Sequence, residues 1–191
     1  MSPGKIIVFS GPSGTGKTTI VAAMLKAFSQ LSFSISATTR QKRGNEKDGK
    51  DYYFLSVVEF KNKIAQNEFL EFQQVYPGIF YGTLKSEIFR IWENGLIPLL
   101  DIDVYGGLNV KKEFGNNATL IFVHPGDIEN LKQRLIQRKS EDTESLNVRL
   151  SKAGKELEEA GQFNEVLYNT GTLEEAIGKA KEIVKRIIGI T

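Results

Sequence analysis

A glycine-rich octapeptide near the start of the chain, residues 11–18, carries the clearest chemical signal in the sequence. It reads Gly-Pro-Ser-Gly-Thr-Gly-Lys-Thr and fits the pattern G-x-x-x-x-G-K-[ST]. Glycines at these positions let the backbone turn tightly, so that successive N–H groups point at phosphate oxygens, while the lysine brings a positive charge. We call this octapeptide the phosphate-binding loop. Together with the next residue, Thr19, it predicts a nucleoside triphosphate site formed by Gly11, Ser13, Gly14, Thr15, Gly16, Lys17, Thr18 and Thr19.

Two oxygen-bearing side chains are candidates for a magnesium site beside the loop. The hydroxyl of Thr18 is a hard oxygen ligand of the kind that Mg²⁺ prefers. The second candidate is Asp101, which ends the apolar run Ile97–Asp101 and can hold a water molecule of the Mg²⁺ shell. An aspartate that merely ends a strand would look the same in the sequence, so the assignment of Asp101 depends on the loop upstream.

A short motif after Asp101 raises the possibility of a GTPase. Residues 103–106 read Asp-Val-Tyr-Gly and fit the D-x-x-G switch of that class. A GTPase also needs an N-K-x-D guanine reader downstream, but the only Asn-Lys pair is Asn62-Lys63, which lies upstream and lacks the aspartate. A kinase is favoured instead, because its second substrate needs a basic pocket of its own.

Arginine is scarce in this chain and unevenly distributed. Among 25 basic residues only 7 are Arg, and five of these form two clusters, Arg40 with Arg43 and Arg134 with Arg138 and Arg149. Arginine suits two-pronged recognition of phosphate, whereas lysine serves well as a solvated surface charge. The clusters therefore favour phosphate binding, with chance placement on solvated faces as the alternative.

The composition excludes several classes of protein. The chain has 191 residues, a formal net charge of +2, no Cys and a single His, His124. Disulfide scaffolds, Cys-ligated metal sites, thiol nucleophiles and multi-His metal sites are thereby excluded. No apolar run approaches the length of a membrane span, and the N-terminus lacks a signal-peptide pattern. We expect a cytoplasmic protein whose main partner is neither a nucleic acid, given the balanced charge, nor a membrane.

Buried apolar strands alternate with amphipathic helices along the chain, which predicts an α/β fold with a parallel sheet and helices on both faces. The strands are predicted near residues 5–10, 33–37, 69–76, 97–103, 119–123 and 166–168. Helices are predicted at 18–28, 56–64, 84–94, 127–135, 146–157 and 172–188. Two of them begin with capping boxes, Ser56 with Glu59 and Thr172 with Glu175.

The segment Ser36–Phe54, which reads SATTRQKRGNEKDGKDYYF, closely resembles the nucleotide-acceptor signature of guanylate kinases. Further stretches similar to that family are Glu68–Glu71, Tyr81–Gly82, Leu100–Asp103 and Arg134–Leu150. The similarity extends from Lys5 to about Ile188. It implies the fold of a P-loop nucleoside monophosphate kinase, with a core (1–35, 95–125 and 160–191), an inserted GMP-binding lobe (36–90) and a helical lid (126–159) in a single domain.

The resemblance also assigns roles to individual residues. The GMP phosphate would be held by Arg40, Arg43, Tyr52 and Tyr81, and guanine would be read by Ser36, Glu71, Thr83 and Asp103. A carboxylate at Glu71 can accept from guanine N1–H and the exocyclic amine, while the hydroxyls of Ser36 and Thr83 can donate to O6. Adenine would present the wrong donors and acceptors to all three.

The second arginine cluster resembles the family's lid. Arg134, Arg138 and Arg149 would close over the transferring phosphoryl group, neutralise its charge and exclude water; helical surface pairs are the alternative. With Lys17, Arg40 and Arg43 they complete the expected catalytic set. The turn at Asn169 resembles the segment that contacts adenine.

We therefore expect a Mg²⁺-dependent transfer of the γ-phosphoryl group from ATP to GMP. No general base is needed, because the attacking phosphate oxygen is already ionised near neutral pH. Two alternatives remain: a non-catalytic guanylate-kinase-like domain that binds proteins, and a kinase for another mononucleotide. The intact loop argues against the first, and Glu71 with Ser36 argues against an adenine acceptor.

Overall fold

A parallel β-sheet forms the centre of the molecule. The computed structural model describes residues 4–137 and 143–190. Within them the elements run in this order: β1 (Ile6–Ser10), α1 (Lys17–Ala27), β2 (Leu31–Phe33), β3 (Ala37–Thr38), β4 (Tyr53–Phe54), α2 (Val57–Ala65), β5 (Phe69–Tyr76), β6 (Ile79–Leu84), α3 (Lys85–Glu93), β7 (Ile97–Asp101), α4 (Val104–Phe114), β8 (Ala118–His124), α5 (Ile128–Gln137), α6 (Thr143–Glu158), β9 (Glu165–Tyr168) and α7 (Leu173–Ile188). The parallel sheet has the strand order β2-β7-β1-β8-β9.

Both faces of this sheet are covered by helices, which explains why its strands are apolar runs rather than alternating patterns. In β1, Ile7 and Phe9 pack in one core with residues of α1 and α7, while Ile6 and Val8 pack on the opposite side with residues of α3 and α4. All five residues of β1 are buried. The α/β fold class expected from the sequence is confirmed.

A second, smaller sheet is inserted in the chain between β2 and β7. Its order is β4-β3-β6-β5, with β3 and β4 parallel and the other pairs antiparallel. Phe60 of α2 stacks on Phe69 and Phe80, which gives this part a core of its own. The residue boundaries of core, lobe and lid stay a prediction.

Four local expectations differ from the structure, and the first is the two-residue strand β4, which was not predicted. The single strand expected over 33–37 is two strands in different sheets, because the chain crosses between the sheets at residues 34–36. The strand β6 was not predicted; it follows a tight turn at Pro77-Gly78, where Gly78 has φ +76°. The helix α4 was also missed, since its two glycines obscure the apolar periodicity.

The capping boxes predicted at the starts of α2 and α7 are confirmed. Both capping boxes form: Glu59 N–H donates to Ser56 Oγ and Ser56 N–H to the Glu59 carboxylate, and Thr172 and Glu175 do the same at α7. These two reciprocal pairs satisfy backbone donors that the first helical turn leaves open. No helix in the described part of the chain is long and apolar enough to cross a membrane.

Candidate active site

The phosphate-binding loop joins the carboxyl end of β1 to the start of α1, and two of its glycines are required by geometry. Gly11 has φ +135° and Gly16 has φ +87°, values that favour glycine. A Cβ atom at Gly11 would lie 2.5 Å from the carbonyl oxygen of Val123. The loop therefore turns as the sequence pattern predicts, tightly and against the neighbouring strand β8.

Lys17 lies at the first position of α1 with its side chain folded back across the loop. Its Nζ donates to the carbonyl oxygens of Gly11 (2.6 Å) and Pro12 (3.0 Å). Burial lowers the pKa of this lysine, and the carboxylates of Asp101 and Glu156 oppose that effect. A desolvated ammonium held this way is a strong attractor for an anion entering the loop.

Thr18 and Asp101 meet as the sequence analysis expected of a magnesium site. The Thr18 hydroxyl donates to Asp101 Oδ2 at 2.8 Å. The contact arises because Asp101 ends β7, the strand paired beside β1, with Phe9 and Asp101 in register. A hydroxyl and a carboxylate fit Mg²⁺, which in proteins takes one or two carboxylates and completes its shell with phosphate and water. Among the described residues there is no group of three or more His, Cys, Asp or Glu side chains that could hold a metal ion.

Asn169 supports the loop from below. The side chain is 5% exposed, and its Nδ2 donates to the carbonyl oxygen of Thr15 at 2.8 Å. Its backbone N–H donates to His124 O at the end of β8. A Cβ atom at Gly16 would lie 2.9 Å from Nδ2 of the Asn169 side chain, so a side chain at position 16 would collide with this asparagine. This bracing role was missed from the sequence; the expected contact to adenine stays a prediction.

Arg40 is fixed among aromatic and acidic groups at the edge of the second sheet. Its Nε donates to the Tyr81 hydroxyl at 3.1 Å, and its two terminal nitrogens donate to the two oxygens of Glu46 at 2.8 and 2.9 Å. The Arg40 hydrogen bonds lower the pKa of Glu46 to about 2. The guanidinium carbon also lies 5.1 Å from the centre of the Tyr52 ring. Three of the four predicted phosphate ligands are thereby brought together.

The fourth predicted phosphate ligand, Arg43, is exposed. Its backbone N–H donates to Glu46 Oε2, so Glu46 ties Arg43 and Arg40 into one turn. Glu46 was not singled out in the sequence analysis, where it looked like one more charge in a polar loop. The spacing was the available signal, because a carboxylate three residues after Arg43 can accept from the backbone N–H of Arg43 in a turn.

Glu71 is a buried carboxylate facing a hydroxyl. It lies in β5 opposite Thr83 of β6, is 7% exposed, and accepts a 2.6 Å hydrogen bond from Thr83 Oγ1. Burial raises the pKa of Glu71 to about 7, and the bond from Thr83 only partly offsets this. Glu71 thus offers a buried carboxylate acceptor, and the hydroxyl proton of Thr83 is donated to it. The expected bond from Thr83 to guanine O6 stays a prediction.

The D-x-x-G motif, residues 103–106, forms the start of helix α4. Asp103 caps α4, its Oδ1 accepting from the N–H of Gly106 at 2.8 Å. A Cβ atom at Gly106 would lie 2.8 Å from Glu71 Oε2, so a residue without a side chain is needed where α4 passes the buried carboxylate. Base recognition by Asp103 stays a prediction beside this capping role.

One cavity of about 400 Å³ connects the two groups of residues. On one side it is lined by the phosphate-binding loop with Thr19, Asp101 and Asp103, and on the other by Ser36, Tyr52, Glu71 and Tyr81. Thr15 and Thr83 are buried beside the cavity, and Arg40, Arg43 and Asn169 do not line it. Part of the set predicted to bind the triphosphate and part of the set predicted to bind the acceptor nucleotide therefore line one cleft.

Helix α6 closes the third side of the cavity. Arg149, Lys152 and Glu156, at spacings of three and four, line it together. Glu156 is 4% exposed and 3.5 Å from Lys152, and burial raises its pKa. Lys152 and Glu156 were missed in the sequence analysis.

Of the predicted lid arginines, only Arg149 is described with its side chain. The backbone of Arg134 lies in α5 and its side chain is not described, and Arg138 lies outside the described residues. Their part in a lid stays a prediction.

Comparison with known proteins shows which family this chain resembles. The family model described as "Guanylate kinase" matches residues 3–187. Guanylate kinase of Bacteroides fragilis strain YCH46 is 45% identical over 186 residues, covering 97% of this chain and 91% of that protein. Guanylate kinase of Chlorobaculum tepidum is 46% identical over 169 residues, or 88% of this chain and 86% of its own length. The crystal structure of guanylate kinase from Anaplasma phagocytophilum matches with a TM-score of 0.74 at 28% identity, covering 97% and 87% of the two chains.

Proposed function

The chain belongs to the guanylate kinase family, a family of ATP:GMP phosphotransferases, and we propose how its cleft performs that transfer. ATP binds with its phosphates on the phosphate-binding loop, and GMP binds across the cavity against β5 and β6. The observation that carries this proposal is the single cavity lined both by Lys17 and Thr18 and by Tyr52, Glu71 and Tyr81.

Recognition of guanine rests on Glu71. When ionised, its carboxylate accepts from guanine N1–H and the exocyclic amine, while Ser36, which lines the cavity, donates to O6. Thr83 would donate to O6 only by turning its single hydroxyl proton away from Glu71. The bond from Thr83 holds the carboxylate in place before the base arrives. Adenine offers no proton at N1 and presents an amine where O6 should be, so a buried site of this kind discriminates by roughly 10⁴ or more.

The GMP phosphate binds at the other end of the acceptor site. Tyr81 accepts from Arg40, which leaves the phenolic proton of Tyr81 to be donated to a phosphate oxygen. Glu46 holds the Arg40 guanidinium in a fixed orientation, and Tyr52 provides a second phenol that lines the cavity. Arg43, exposed beside them, would complete the dianion site by turning its side chain inward.

Transfer of the phosphoryl group needs positioning and charge stabilisation rather than a base. Lys17 supplies positive charge at the β and γ phosphates, and Arg149 approaches from α6. Thr18 and Asp101 would hold Mg²⁺, which when bound neutralises charge on the donor phosphates. His124, the last residue of β8, is given no part, because it does not line the cavity and its Nδ1 accepts from the N–H of Gly126.

A substrate panel tests the proposal. ADP release from ATP is measured with Mg²⁺ and each of GMP, AMP, CMP and UMP as acceptor. We expect turnover with GMP and rates several orders of magnitude lower with the other three. Equal rates with AMP would contradict the guanine assignment, and GMP binding without any turnover would favour the protein-binding alternative. The cytoplasmic location, and the absence of a nucleic acid as main partner, stay predictions.

A further inference from the structure

Glu87 of helix α3 is a buried carboxylate with every oxygen engaged by donors from separate parts of the chain. Its side chain is 1% exposed. Oε1 accepts from the backbone N–H of Ile35 (3.0 Å) and from Arg90 Nη2 (2.8 Å). Oε2 accepts from the Tyr53 hydroxyl (2.9 Å) and from Arg90 Nε (2.9 Å). Burial opposes the charge, but these hydrogen bonds outweigh it and keep the pKa of Glu87 below its usual range.

The donors to Glu87 come from the junction between the two sheets. Ile35 lies in the segment that leaves the parallel sheet after β2, where Ser34 N–H still donates to Leu99 O. Tyr53 begins β4 in the second sheet, and its backbone N–H donates to Ser36 O at 2.9 Å. One carboxylate thus holds the crossing segment and the first residue of β4 to the same helix.

Each of these two donors is next in sequence to a residue of the acceptor site. Ser36 follows Ile35 and Tyr52 precedes Tyr53, and both Ser36 and Tyr52 line the cavity. Adjacent α-carbons are about 3.8 Å apart with a planar peptide between them, so fixing one residue restricts its neighbour. Glu87 itself does not line the cavity.

We propose that Glu87 is a positioning residue for the acceptor nucleotide, one that sets the relative placement of Ser36, at the guanine end, and Tyr52, at the phosphate end. The inference rests on the proposed function, since it assumes that GMP spans those two side chains. Loss of the carboxylate would leave the partly buried donors at Ile35 and Tyr53 without a charged acceptor, and the two segments would move apart.

The test compares Glu87→Gln and Tyr53→Phe with the wild-type enzyme. Glutamine keeps the shape of the side chain but turns an NH₂ group toward donors, whereas phenylalanine removes only the hydroxyl that reaches Glu87. We expect KM for GMP to rise about tenfold in Glu87→Gln and about threefold in Tyr53→Phe, with KM for ATP within about twofold of wild type. The double variant should resemble Glu87→Gln, because both changes act through one network.

Glu113→Gln is the matched control. It removes the ion pair of 3.5 Å between Glu113 and Lys85, the first residue of α3, without touching the junction. We expect KM for GMP to stay at the wild-type value in this variant, as checked by kinetics and by calorimetric titration of GMP.

The outcomes separate this inference from the proposed function. Equal rises in the KM values for GMP and ATP, or a loss of kcat alone, would show a merely structural role and overturn it. If Glu87→Gln fails to fold, Tyr53→Phe decides: an unchanged KM for GMP overturns the inference and a selective rise supports it. A wild-type enzyme that does not phosphorylate GMP would instead refute the proposed function, on which this inference rests.

Discussion

The hydroxyl of Thr18 donates a hydrogen bond of 2.8 Å to Asp101 Oδ2, although 83 positions separate the two residues in the sequence. The contact exists because α1 starts beside the carboxyl end of β1, and β7 is paired parallel to β1. Both oxygen groups thereby face the cavity beside Lys17. A hydroxyl and a carboxylate placed together in this way suit the magnesium site proposed next to the triphosphate.

Replacing Thr18 tests this relationship directly. Thr18→Val keeps the side-chain shape but removes the hydroxyl, so we expect the Mg²⁺ concentration for half-maximal activity to rise about tenfold or more. Thr18→Ser keeps the hydroxyl and should remain close to wild type. The measurement is initial rate against free Mg²⁺ at saturating ATP and GMP. Identical Mg²⁺ curves for the valine and serine variants would refute the role of the hydroxyl.

Lys17 is expected to act on the transferred group and not on the acceptor. Lys17→Met should lower kcat by about 10²- to 10³-fold, because it removes a preorganised positive charge from the donor phosphates. The dissociation constant of GMP, measured by calorimetry, should change little. Lys26→Met, which alters a lysine in the last turn of the same helix, is the control and should retain full activity. Retained turnover in Lys17→Met would contradict the loop assignment.

Binding of the guanine base should depend on pH through Glu71, whose pKa is about 7. The base needs the ionised carboxylate, so affinity falls as pH falls through this value. Guanosine is the suitable probe because it has no phosphate group to titrate. We expect roughly tenfold weaker guanosine binding at pH 6 than at pH 8. The pH dependence should vanish in Glu71→Gln; a flat profile in the wild type would show that Glu71 does not titrate there.

The same carboxyl group should affect stability in the opposite direction. The pKa of Glu71 is raised on folding from 4.5 to about 7, so the folded state prefers the protonated form. Its contribution to stability is present below pH 4.5 and is lost as pH rises through 7. Glu71→Gln should therefore gain free energy of unfolding relative to wild type between pH 5 and 8, by on the order of 3 kcal/mol at most. Urea unfolding of both proteins at several pH values measures this difference.

Gly106 should be intolerant of even one methyl group. In Gly106→Ala the added Cβ would lie 2.8 Å from Glu71 Oε2, and the carboxylate cannot retreat freely because Thr83 holds it. We expect KM for GMP to rise roughly tenfold, with KM for ATP nearly unchanged. Gly178→Ala in α7, where the added Cβ meets open space, is the control and should gain about 0.5–1 kcal/mol of stability. Equal effects of the two substitutions on KM for GMP would refute the close-contact argument.

Features that depend on residues near one another in the chain were predictable. The phosphate-binding loop, the capping boxes at Ser56 and Thr172, and the apolar strands follow from local spacing, because each is stabilised within a few residues or by its own burial. The strand β6 and the helix α4 were missed, since a short turn and two glycines interrupt the local pattern there. The single strand expected at 33–37 was wrong for a related reason: the sequence does not show that the chain changes sheets.

By itself, the sequence determined the chemical inventory: a loop for phosphates, arginines and phenols for a dianion, and a carboxylate with hydroxyls for guanine. Only the tertiary structure decided which of these groups meet and what supports them. Asn169 reaches Thr15 across 154 positions and Glu87 reaches Ile35 across 52. Such partners depend on how strands and helices are ordered in space, and nothing in local spacing encodes that order. Burial, which changes the pKa values of Glu71 and Lys17, arises in the same way from packing of distant segments.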